Sequence, residues 1–90
     1  MDVNDYAIFV MSNIKKAKLG NALNITDKVI ENYDVKEFIT SLYNALIEMK
    51  NYDKRVVDCI NSALNGFDKK NPSMTLDKMI ISIWKIYNGQ

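Results

Sequence analysis

The sequence predicts an all-α fold, a compact bundle or orthogonal array of four to five short helices, on three observations. Apolar residues recur at steps of three and four along the whole chain, the spacing that lines one face of a helix. One proline and three glycines leave too few turn residues for a many-stranded β fold. Ninety residues, 48% hydrophobic and 26% charged, suit one folded domain covering residues 1–90.

Asp2 is placed to cap a first helix running to about Lys18 or Leu19. Its inward stripe is Val3, Tyr6, Ala7, Val10, Met11, Ile14 and Ala17. Gly20 and the Asn-containing stretch after it read as a stop, with Thr26 capping a short helix that holds Val29, Ile30 and Tyr33. Asp34 and Glu37 have the spacing of a capping box and open a helix to about Lys50. That helix turns Val35, Phe38, Ile39, Leu42, Tyr43, Leu46 and Met49 inward. Asn51 or Asp53 caps the next helix, whose stripe is Val56, Val57, Ile60, Ala63, Leu64 and Phe67 and whose stop is Gly66. The loop Asp68-Lys69-Lys70-Asn71-Pro72-Ser73 is the clearest break. Ser73 or Thr75 then opens a last helix through Leu76, Met79, Ile80, Ile83, Trp84 and Tyr87, ending near Gly89.

Composition narrows the chemistry. The chain has no histidine, which removes the commonest general base and the commonest transition-metal ligand. With one cysteine, Cys59, no zinc site can be built from its own N and S ligands, and no Ser-His or Cys-His pair exists. There is no Gly-rich phosphate loop and no Asp-x-Asp-x-Asp-Gly calcium loop. Asp53 and Asp58 could form a carboxylate pair, although single acids on polar helix faces are usually solvated surface. Arg55, one turn before Cys59, could depress the thiol pKa, but a cysteine beside Ile60 more often serves as a small buried hydrophobe. The expectation is therefore a protein that is no enzyme and carries no cofactor or metal.

Twelve basic residues against eleven acids leave a net charge of +1, too balanced for a dedicated nucleic-acid binder. No stretch approaches the ~18 apolar residues of a membrane span, and the N-terminus lacks a signal peptide's basic region. A lone cysteine gives no argument for an oxidising compartment, so the expected location is cytoplasmic. Asn, Ile and Lys occur eleven times each, which points to an AT-rich source.

Leu19-Gly20-x-x-Leu23-Asn24-Ile25-Thr26 followed by Ile30 and Tyr33 has the layout of a helix-turn-helix, with Gly20 as the small residue and Asn24 as the turn. The arrangement resembles five-helix repressor-type domains, which implies DNA contact from the segment Thr26 to Tyr33, through Thr26, Lys28 and Asn32. Asp27, Glu31 and Asp34 oppose that reading, because phosphates would repel them.

The terminal helices carry more apolar residues than one face needs. Ile8 and Phe9 lie off the first stripe, and Ile81 and Ile86 flank the last. Either the two helices are central in the bundle, or they form a protein interface with Phe9, Ile81, Trp84, Ile86 and Tyr87 as its residues. The function this favours is a small protein-binding regulator or inhibitor, with an unidentified protein or a second copy as partner. Small size and an AT-rich source suit a phage, plasmid or viral accessory factor. A DNA-binding regulator is the first alternative; a bacteriocin-immunity-type protein, similar in size and helical class, is the second.

Overall fold

A computed structural model describes residues 2–49 and 52–89, which form five helices: α1 (Val3–Lys15), α2 (Leu19–Asn32), α3 (Val35–Glu48), α4 (Lys54–Asn65) and α5 (Pro72–Tyr87). The all-α expectation holds, and among the described residues there is no strand.

Most helix starts follow from local chemistry. The first N–H groups of a helix lack intrahelical partners, and a short acceptor side chain supplies one. Asp2 accepts from the Asp5 N–H at 2.9 Å, and Asp5 accepts in return from the Asp2 N–H at 3.1 Å, closing a capping box. Asp34 accepts from the Glu37 N–H, and Asp53 from the Arg55 N–H. The expected helix end at Lys50 and the alternative cap Asn51 lie outside the described residues. Gly66 ends α4 as the sequence predicts. The start of α5 differs from expectation: Asn71 is the cap, accepting from the Met74 N–H, and Pro72 takes the first helical position, where its missing N–H costs nothing.

The larger correction lies between α1 and α2. α1 stops at Lys15, three residues early, because Ala17 takes a left-handed φ of 61°. The Lys18 N–H then reaches the Asn13 carbonyl at 2.8 Å and the Ala17 N–H reaches Ile14 at 3.1 Å, the paired bonds of a Schellman stop. Ala17 therefore leaves the stripe and is exposed. Gly20 is not a stop but the second residue of α2, and Asn24 and Thr26 lie within that helix. Thr26 does not cap. Its hydroxyl donates back to the Leu23 carbonyl at 2.6 Å, a bond available only to a residue already inside the helix.

The five helices close over one core. Phe38 and Leu42 of α3 are fully buried with Val10 and Ile14 of α1, Val29 of α2, Ile60 of α4, and Leu76, Ile80 and Ile83 of α5. α1 packs on α2, α3 and α5, while α4 packs on α3 and α5. The radius of gyration is 11.7 Å, against the ~12 Å expected for a compact chain of this length. Among the described residues no helix is long and apolar enough to cross a membrane.

Candidate protein-binding surface

α1 buries one side completely. Ala7, Val10, Met11, Asn13 and Ile14 face the core, and Asn13 is satisfied there by donating to the Phe9 carbonyl at 2.9 Å. The opposite side leaves Ile8 60% and Phe9 42% exposed, on adjacent positions near the middle of the helix. Burying either side chain would release on the order of 1–2 kcal/mol of apolar hydration. Ile8 also borders a cleft of about 510 Å³ between α1 and α3, with Ala45 and Met49 as its apolar wall and Asn4, Asn44 and Glu48 at its rim.

The α5 residues expected at an interface are placed differently. Trp84, Ile86 and Tyr87 are half-buried and pack against the core. Ile81 is half-buried but stands outside that cluster. Tyr87 meets α1 at Lys15, whose ammonium lies 5.6 Å from its ring centroid, about 9 Å along the helix from Phe9. Asn88 bonds the Ile14 carbonyl at 3.1 Å, fastening the end of α5 to the end of α1. The two terminal helices thus do pack together, through their C-terminal ends.

The helix-turn-helix spacing is not realised. α2 runs unbroken through Asn24, so no turn separates a supporting helix from a reading helix. Thr26 is 2% exposed and faces α5, where Asp77 lies 3.5 Å from its hydroxyl. Lys28 and Asn32 are exposed, and the Asn32 amide donates to the Lys28 carbonyl at 2.8 Å.

A second cleft, of about 560 Å³, separates α4 from α5 and is lined by Cys59, Met74, Met79 and Asp58 among others. Burial pushes the Cys59 thiol pKa up, and Asp58 and Asp53 add to the rise. Arg55 does not activate it, because its guanidinium is held by Asp53 at 2.7 and 3.1 Å. That same pairing keeps the Asp53 carboxyl below its ordinary pKa, the wrong direction for a general acid. Among the described residues no group of three or more Cys, Asp or Glu side chains could hold a metal ion.

Sequence reasoning missed three exposed apolar residues: Ile47 at 39%, Tyr52 at 44% and Met74 at 54%. Ile47 was legible as an apolar residue off the α3 stripe; the other two carry no such signal. Comparison with protein-family models, curated proteins and solved structures finds no match to this chain.

Proposed function

We propose that this chain is a small, non-enzymatic protein-binding module, acting as a regulator or inhibitor through the outward side of α1. The observation that carries this reading is the exposure of Ile8 and Phe9 side by side on a helix whose other face already saturates its share of the core. Large apolar side chains exposed among polar neighbours are the material of interaction sites, and aromatic anchors are enriched in them. The cleft beside Ile8 adds a recess into which a partner side chain can seat. A cytoplasmic partner and a phage, plasmid or viral source remain part of the proposal, resting on composition alone.

The test is affinity capture from cells of the source, comparing the wild-type chain with Ile8→Asp/Phe9→Asp. Both substitutions fall on exposed positions, so helicity and melting temperature should stay near wild type. A protein retained by the wild-type chain and lost with the double variant supports the reading. An identical set of retained proteins, or none in either case, overturns it.

A further inference from the structure

The exposed residues of α1 are ordered by charge as well as by polarity. Asp2, Asn4, Asp5, Ile8, Phe9, Lys15 and Lys16 are exposed and Ser12 is half-buried, and at 100° per residue all eight fall within one continuous side of the helix. Along that side the acids Asp2 and Asp5 stand at the N-terminal end, the apolar pair at the middle, and Lys15 and Lys16 at the C-terminal end. Such a strip is its own complement when reversed. An axis between Ile8 and Phe9 sets Ile8 of one copy against Phe9 of the other, Asp5 against Ser12, and Asp2 against Lys15.

We propose that this side of α1 docks a second copy of the same chain, antiparallel, about a two-fold axis between Ile8 and Phe9. The proposal rests on the reading of Ile8 and Phe9 as a protein-binding surface and names its partner. A two-fold interface requires one patch to be complementary to itself; this strip meets that in apolar position through Ile8 and Phe9, and in charge through Asp2 and Lys15, whose ammonium lies over the Tyr87 ring at the end of the strip. Parallel pairing would set acids on acids and lysines on lysines. The cleft walled by Ala45 and Met49 lies directly beside Ile8, where the partner's Phe9 ring arrives. A net charge of +1 imposes no long-range repulsion between copies. The end charges are solvent-exposed, so they select orientation more than they supply affinity.

The experiment is sedimentation equilibrium of the full chain from micromolar to millimolar concentration. The wild type should rise from 10.4 kDa toward twice that mass. Ile8→Asp should weaken self-association at least tenfold with unchanged circular dichroism, and Phe9→Ser provides the same readout should Ile8→Asp lose helicity. Orientation is read at Ser12, which faces the partner's Asp5 only in the antiparallel register. Ser12→Glu should weaken self-association severalfold and Ser12→Lys should strengthen it severalfold. A wild type that stays at 10.4 kDa throughout, an undiminished dimer in both Ile8→Asp and Phe9→Ser, or Ser12→Glu and Ser12→Lys variants that associate equally overturns the proposal. A monomeric wild type that still captures a protein through Ile8 and Phe9 overturns self-pairing alone, whereas loss of both results removes the protein-binding reading as well.

Discussion

Thr26 has a single hydroxyl proton, and at 2.6 Å it goes to the Leu23 carbonyl. Asp77, 3.5 Å away on α5, is left as an acceptor facing an acceptor unless it carries a proton itself. Burial raises the Asp77 pKa first of all, and Asp27 adds to the rise; a hydrogen bond from Thr26 would oppose it, but that proton is already engaged. A carboxyl whose folded pKa is raised contributes stability below its ordinary value of 3.8 and loses it as pH climbs through the folded value. Asp77→Asn should therefore stabilise the fold at pH 7 by about 1 kcal/mol in urea denaturation, since the amide can donate to Thr26. The advantage should shrink as pH falls through the raised folded value, where Asp77 protonates; equal stability at pH 7 would show that Asp77 carries no such burden. On the same helix the Trp84 indole N–H and the Tyr87 hydroxyl are buried with no hydrogen-bond partner among the described residues. A stranded donor costs about 1–3 kcal/mol. Tyr87→Phe should accordingly leave stability unchanged or raise it by up to about 1 kcal/mol, and a clear loss would show that the hydroxyl is bonded in solution.

At the scale of the element, glycine and alanine sit in each other's natural places around the first turn. Ala17 holds the left-handed position that glycine fills without strain, while Gly20 lies in a helix where alanine is favoured. A Cβ added at Gly20 meets nothing within 4 Å. Ala17→Gly and Gly20→Ala should each stabilise by roughly 0.5–1 kcal/mol. At this chain length 1 kcal/mol corresponds to about 4–8 °C in Tm, so the pair is readily measured by calorimetry; a fall in Tm with Ala17→Gly would contradict the Schellman stop. This inversion explains what was and was not legible in the sequence. The caps Asp2, Asp34 and Asp53 and the stop at Gly66 depend on neighbours a few residues away, and local spacing revealed them. The boundary at Ala17 opposes local propensity, because the burial of Ala22 and Val29 fixes where α2 must run. Ile8 and Phe9 were visible as residues off the stripe. Trp84 and Tyr87 were legible on the stripe of α5; the half-burial of Ile86 beside it was not, because α5 packs against α1, α2 and α4, which no periodicity within α5 can encode.

For the whole molecule, balanced charge and an unbroken α2 weigh on nucleic-acid binding. Labelled mixed-sequence duplex DNA should show no saturable rise in anisotropy at low or physiological salt, and binding that weakens steeply with salt would restore that reading. α1 packs on α2, α3 and α5. It is also made before each of them. At roughly 5–20 residues per second, the ribosome needs several seconds after Lys15 before Pro72 begins α5. Throughout that interval the nascent chain carries a helix apolar on both sides with one of its three packing partners still unwritten, a natural substrate for a holdase chaperone.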